Sequence, residues 1–238
     1  MSNYQTYKNI HKQNIDFTIS KDEVLRYLGY KNTVVDNETQ KMLELCIDEI
    51  RKIAEMKYTF DIFYIEGKSN RITLKDSIIE LTGKNISEHL KLSKKCAVMA
   101  ATLGIEVDRR IKYYSLTDLT KGVIFDACAT TLIEALCDYV EGEIKAIAAI
   151  EGYNITSRYS PGYGDLNINI QHKILNALNT QKHMGLTVTD SSILLPRKSV
   201  TAFIGFTEEK THSTKKCRDC NLYSSCNYSK GGDYSCAK

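Results

Sequence analysis

The stretch Arg158-Tyr-Ser-Pro161-Gly162-Tyr163-Gly164-Asp165 separates a long helical segment from a shorter one, and the arrangement of both turns on it. It holds one of only two prolines and two of the 13 glycines in the chain. Pro161 fixes φ at the first corner of a turn, and Gly162 accepts the positive φ that a type II turn requires at the second. With no Cβ, Gly162 also lets a ligand come close to the backbone. Arg158 stands three residues before Pro161, and its planar fork matches a carboxylate. Tyr163 offers a flat apolar face with a polar tip. These residue types suit a small ligand with a carboxylate and an aromatic or sulfonium part. The same spacing serves a plain surface turn with a solvated arginine, and spacing alone leaves both readings open.

Upstream, Thr117 to about Ile150 reads as one long helix. It is dense in Ala, Leu and Ile, has no proline and is apolar over much of its circumference, so it is expected to cross the middle of the fold. Glu151 follows, seven residues before Arg158, placed either to bind a ligand ammonium or to end the helix in solvent. Downstream, a helix is predicted from Asn169 to Thr180, capped by Asn167 or Asn169. Its N-terminus would bring exposed N–H groups and partial positive charge to the turn, which favours an anionic ligand group there. Leu186–Leu195 and Ser199–Phe206 read as two strands of an antiparallel hairpin with Pro196-Arg-Lys between them.

Earlier in the chain, Ser20-Lys-Asp-Glu23 is a capping box opening a short helix that stops at Gly29. Met42, Leu45, Cys46, Ile50 and Ile53 recur at helical spacing within a helix from about Glu38 to Lys57. Thr59–Ile65 is rich in aromatic and β-branched residues and reads as a strand, with Arg71–Leu81 pairing to it across Gly67 and Asn70. Ser87 is read as the cap of a short helix, Lys95–Leu103 as a buried strand and Ile105–Tyr114 as a helix. Helices and strands come in runs rather than in strict alternation, so the class is α+β: an antiparallel sheet packed with a long central helix and flanking helices. The expected division is a flexible N-terminus (1–14), an α+β domain (15–207) and a cysteine-rich tail (208–238).

The 238 residues are 42% hydrophobic and 26% charged, ordinary for a globular protein. A net charge of +3 is too small to argue for nucleic acid or an anionic membrane as partner. No apolar run approaches a membrane span, and the opening Met1-Ser-Asn-Tyr4 lacks the apolar core of a signal peptide. A cytoplasmic location is expected.

The eight cysteines fall into two groups. Cys46, Cys96, Cys128 and Cys137 lie among apolar residues and are expected in the core. Cys217, Cys220, Cys226 and Cys236 crowd into the last 22 residues. A cytoplasmic chain is not expected to keep disulfides there, so these four read as metal ligands. The pattern is Cys-x2-Cys-x5-Cys-x9-Cys, and tetrathiolate ligation suits zinc or an iron–sulfur cluster. It is not the Cys-x3-Cys-x2-Cys of radical S-adenosylmethionine enzymes. From Lys210 to Lys238, six Lys/Arg against two Asp leave +4, a field that lowers thiol pKa values and offsets four thiolates. Zinc would simply fold a tail with few apolar residues. A zinc ribbon touching RNA through Lys215, Lys216 and Arg218 finds no support in the body of the chain, which lacks interleaved basic and aromatic residues. The five histidines (11, 89, 172, 183 and 212) form no ligand spacing.

Arg158-Tyr-Ser-Pro-Gly-Tyr163 resembles the Arg-x-x-Pro-Gly-Tyr motif of the S-adenosylmethionine-binding activation (reactivation) domain of vitamin B12-dependent methionine synthase. The similarity continues through His183-Met-Gly-Leu-Thr-Val-Thr-Asp-Ser-Ser192 and Lys198-Ser-Val-Thr-Ala202. Upstream, Ala101-Thr-Leu-Gly-Ile-Glu-Val-Asp-Arg-Arg110 and the Asp126–Glu143 helix are similar to stand-alone members of the family. The match spans roughly residues 15 to 207 and leaves out the cysteine tail. It implies that Arg158 holds the methionyl carboxylate of S-adenosylmethionine, while Pro161, Gly162, Tyr163 and Gly164 line the ligand. Glu151-Gly-Tyr153 fits the family's acidic Glu-x-Tyr context, one residue further from the arginine. The family's other acidic ligand residue and its late tyrosine have no assigned counterpart.

The implied function is that of a stand-alone activation subunit, supporting reductive methylation of inactive cob(II)alamin. The cobalamin would be carried by a partner: a cobalamin-binding methionine synthase subunit or another corrinoid protein. A reductant such as flavodoxin or ferredoxin would supply the electron. That need favours an iron–sulfur cluster over zinc in the tail. The alternative is a non-catalytic corrinoid-protein binding module or chaperone with a structural zinc tail. If the tail relays electrons, anaerobically purified protein is brown and bleaches on reduction; colourless protein with one zinc per chain contradicts the relay.

Overall fold

The computed structural model describes residues 17–30, 35–67 and 71–209. Residues 1–14 and the four tail cysteines therefore lie outside the described residues.

The first helix, α1 (Lys21–Tyr27), starts as its capping box predicts. The Ser20 hydroxyl accepts from the Glu23 N–H at 3.3 Å. Gly29, at φ +84°, ends it. The next, α2 (Asn37–Ile53), is capped by Asp36, whose carboxylate accepts from the N–H groups of Glu38 and Thr39. Its stripe of Leu43, Cys46, Ile47 and Ile50 is buried. The helix stops four residues before Lys57, where strand β1 (Lys57–Glu66) begins.

The following elements are β2 (Arg71–Leu74), β3 (Glu80–Thr82), α3 (Lys84–His89), β4 (Ser93–Thr102), α4 (Ile105–Thr117) and α5 (Leu119–Ile150). After them come β5 (Asn154–Ile155), a 3-10 turn at Ile168–Ile170, α6 (Gln171–Ala177), α7 (Thr180–Met184), β6 (Thr187–Val188), β7 (Leu194–Leu195) and β8 (Ser199–Thr207). Six strands form one sheet in the order β3-β2-β1-β4-β8-β5, each antiparallel to its neighbours. This is the α+β architecture with a long central helix that the sequence predicts.

β4 explains the layering. It pairs along its length with β1 on one side and β8 on the other. Side chains alternate across a strand, so Ala97, Met99 and Ala101 join the core formed with α1, α2, α4 and α5. Cys96, Val98 and Ala100 join a second core beneath α3, α6 and α7. A strand buried on both faces reads as a continuous apolar run. The alanines keep its surface shallow, and α5 lies across the first face with Ala127, Cys128, Leu132, Leu136, Val140 and Ile144 buried.

Four local expectations are corrected. Arg71–Leu81 is not a single strand: Asp76 takes φ +56° and a tight turn at Leu74–Ser77 folds β3 back on β2. Asn169–Thr180 is not one helix, because Asn179 adopts a left-handed conformation between α6 and α7. Leu186–Leu195 does not pair with Ser199–Phe206. It closes on itself as β6–β7 around Ser192 (φ +62°), while β8 inserts between β4 and β5. The physical reason is burial: β8 is buried from Thr201 to Thr207, so it belongs at the sheet's centre, whereas Thr187, Thr189, Asp190 and Ser191 do not. Lastly, Ser87 lies inside α3 rather than at its cap.

The four body cysteines are buried and free, as predicted. Burial pushes the Cys46 thiol up to about 11, Cys96 and Cys128 to about 12, and Cys137 higher still. They are packing residues and stay protonated at neutral pH. Among the described residues, no helix is long and apolar enough to cross a membrane.

Candidate functional site

The site is built by the chain that returns from α5 along the sheet edge. After Gly152, at φ +79°, β5 pairs with the end of β8. The Thr156 N–H donates to Gly205 O, and Tyr159 exchanges backbone hydrogen bonds with Phe203 at 2.9 Å in both directions. Residues 154–159 thus run as an edge strand beside β8. Ile155 opposes Phe206 and packs in the helical core, whereas Tyr159 opposes Phe203 and packs against the opposite core; four residues on this chain span three on β8, and this one-residue shift switches the faces. Arg158, one residue from Tyr159, points back at α5.

There it meets three carboxylates. Glu134, Asp138 and Glu141 are spaced four and three residues apart, which stacks them on one helix face. Arg158 Nη2 lies 3.0 Å from Glu134 Oε2, and Nη1 lies 2.9 Å from Asp138 Oδ1 and 3.2 Å from Glu141 Oε2. The arginine side chain is 6% exposed and that of Asp138 46%. Burial works against the guanidinium charge, but the facing carboxylates of Glu134, Glu141 and Asp138 outweigh it and hold the arginine's pKa raised. Burial lifts the Glu134 carboxyl above its usual range, by more than Arg158 lowers it. Arg158 faces all three carboxylates, and Arg26 of α1, itself paired with Glu23, also acts on Glu134. Sequence reading found Arg158 and missed its partners. The signal was present as three acids at helical spacing in an otherwise apolar helix.

The turn itself has the expected form. The Tyr163 N–H donates to Ser160 O at 3.2 Å with Gly162 at φ +90°. A second turn follows from Tyr163 to Leu166 with Gly164 at φ +54°, and the Gly162 N–H closes the loop on Leu166 O. Pro161 is buried, whereas Gly162, Tyr163 and Gly164 are exposed. The two glycines differ in purpose. A Cβ on Gly162 would meet only Ile168 Cδ1, at 3.9 Å, so its surface is open to a ligand. A Cβ on Gly164 would stand 2.4 Å from Tyr159 Oη and 2.6 Å from Asn85 Nδ2, so this glycine serves packing.

Asp165, at the end of the motif, locks the loop to the body. Its carboxylate accepts from the N–H groups of Lys84 (2.6 Å) and Asn85 (3.1 Å), capping α3 from about eighty residues away. Asn167 caps the 3-10 turn by accepting from the Asn169 N–H, as predicted. His89 Nε2 lies 2.9 Å from Ser157 O and 3.0 Å from Thr156 Oγ1, pinning the edge strand that carries Arg158.

Glu151 is not part of this cluster. It closes the C-terminus of α5 and pairs with Lys95, whose ammonium also sits over the Tyr64 ring at 4.9 Å. Ten helical residues separate it from Glu141, about 15 Å along the axis. The structure therefore gives Glu151 a cation of its own and leaves the carboxylates beside Arg158 to α5. A cleft of about 560 Å³ between α2 and α4, lined by Lys52, Glu55, Glu106, Arg109, Arg110 and Tyr113, includes no residue of the motif. Among the described residues, no group of three or more His, Cys, Asp or Glu is arranged to hold a metal.

No family model matches the chain, and no curated protein matches it in sequence. Its fold is similar to that of a solved structure of the MetH reactivation domain bound to AdoHcy, with a TM-score of 0.60 and 16% identity over 84% of this chain and 74% of that one. The likeness establishes a shared fold.

The tether at Asp165 makes a direct prediction. Asp165→Ala removes the cap of α3 and lowers stability by about 1 kcal/mol, while Asp165→Asn keeps part of it; thermal melts of the three proteins check the order.

Proposed function

We propose that this chain binds S-adenosylmethionine at the Arg158 turn and acts as a stand-alone activation component for a cobalamin-dependent methyltransferase of the methionine synthase type. One observation carries the reading: a near-fully buried arginine is delivered beside an open Pro161-Gly162 turn, on the same fold as a reactivation domain solved with AdoHcy. An amino-acid terminus needs a cation for its carboxylate and an anion for its ammonium. Arg158 supplies the first, and Glu134 and Glu141 stand beside it for the second. Gly162 presents open backbone beside the buried Pro161, and Tyr163, 57% exposed, offers a ring face at the rim.

The chemistry this serves is a coupled equilibrium on a partner's corrinoid. A one-electron donor such as flavodoxin or ferredoxin reduces cob(II)alamin to cob(I)alamin. Cobalt then takes the methyl group, the sulfonium C–S bond breaks, and S-adenosylhomocysteine and methylcobalamin remain. The reduction is uphill, and each mismatch of about 59 mV costs tenfold in population. Methyl transfer withdraws the reduced form and pulls the sequence forward. The chain's own residues supply no acid, base or nucleophile in this scheme; they bind and orient the methyl donor. Cys217, Cys220, Cys226 and Cys236 have the donor set for a tetrathiolate centre. We assign them to an iron–sulfur cluster, which would offer a one-electron relay when bound, with structural zinc as the outcome that would restrict the tail to folding.

Calorimetric titration with S-adenosylmethionine tests the reading. The wild-type protein is expected to bind one equivalent. Arg158→Lys keeps a positive charge within the carboxylates but loses the fork, so affinity falls at least about tenfold with the circular dichroism unchanged. No saturable binding by the wild type, or equal affinity in the variant, contradicts the assignment.

A further inference from the structure

We propose that Asp138 is a built-in competitor for the ligand's carboxylate, so that ligand entry is an exchange of one carboxylate for another on Arg158 Nη1. The inference rests on the reading of the Arg158 turn as the binding site. The guanidinium is already covered: Nη1 faces Asp138 and Glu141, Nη2 faces Glu134, and 6% of the side chain reaches solvent. A further carboxylate cannot be added to that arrangement; it has to replace one that is there.

The three candidates for replacement are not equivalent. Glu134 is held in place by burial, which also lifts its pKa, and it feels Arg26 of α1 as well as Arg158. Asp138 is the most exposed, at 46% against 32% for Glu134 and 33% for Glu141, so its pair with Arg158 is the most screened by water and the one most readily exchanged. On the α1 side, Arg26 is itself paired with Glu23 at 2.8 Å. Exchange at Nη1 keeps the count of carboxylates on Arg158 constant. It leaves Glu134 and Glu141 in position for the ligand's ammonium.

The exchange makes Asp138 a specificity-determining residue. It sets a threshold that a ligand with a carboxylate has to overcome and that a ligand without one never meets. Two ligands separate these cases: S-adenosylmethionine, and its decarboxylated analogue, which keeps the ammonium and the sulfonium. In Asp138→Asn, affinity for S-adenosylmethionine is expected to rise about twofold to fivefold, the scale of a half-exposed ion pair. Affinity for the decarboxylated analogue is expected to stay level or fall. Asp138→Ser, which removes the carboxylate with a shorter side chain, is expected to reproduce the gain. Thermal melts of both variants establish that they are folded. Unchanged or weakened S-adenosylmethionine binding in both variants overturns the proposal, and so does an equal gain for the two ligands. Arg158→Lys run alongside separates the two claims. Loss of binding there with no gain in the Asp138 variants refutes the competitor alone. Binding that ignores Arg158→Lys refutes the site.

Discussion

The structure depends on a strand that is buried on both faces. From Cys96 to Thr102, β4 has no solvent side, and its alanines leave room for a long helix above and short helices below. α5 can lie flat against this surface because its own buried positions include Ala127, Ala129 and Ala148. Everything at the candidate site follows from that stacking. The chain leaves α5 and returns along β8 as an edge strand, and the one-residue shift between its Ile155–Phe206 and Tyr159–Phe203 pairings turns residue 158 toward the helix it has just left. Arg158 is the residue so turned. Its charge is tolerable in a nearly dry place because α5 presents acids to it at helical spacing.

The loop beyond Arg158 is held from outside as well as by its own turns. Asp165 caps α3, Tyr159 donates its hydroxyl to Tyr163 O, and His89 braces the strand beneath. Such anchoring gives an exposed turn a defined shape without a ligand, which lowers the ordering cost of binding. The open space at Gly162 and the crowding at Gly164 show that two glycines of one motif, two residues apart, answer different demands.

Local chemistry was legible in the sequence where it depends on neighbours in the chain. The Ser20 capping box, the Asn167 cap, the apolar run of β4, the unbroken α5 and the Pro161-Gly162 turn all stand where residue type and spacing put them. Long-range pairings were not legible. The carboxylates that hold Arg158 come from a helix that reads as apolar over much of its circumference, and the cap of α3 comes from Asp165 rather than from the nearby Ser87. The placement of β8 was misread for a related reason: a short connection to Leu195 suggested a hairpin, but burial on both faces required a central position next to β4. Glu151 reads in the sequence either as a partner for a ligand ammonium or as a helix end in solvent, and the structure gives it Lys95 as a partner at the end of α5.

The account's central claim is that the Arg158 turn is where the methyl donor binds. Heteronuclear NMR of labelled protein during addition of S-adenosylmethionine addresses it directly, through the Arg158 Nε–Hε signal and the amides of Gly162, Tyr163 and Gly164. The account predicts that these signals shift together and saturate at one equivalent. Shifts confined to the cleft of Lys52, Arg109 and Arg110, with the Arg158 signal unmoved, would contradict it.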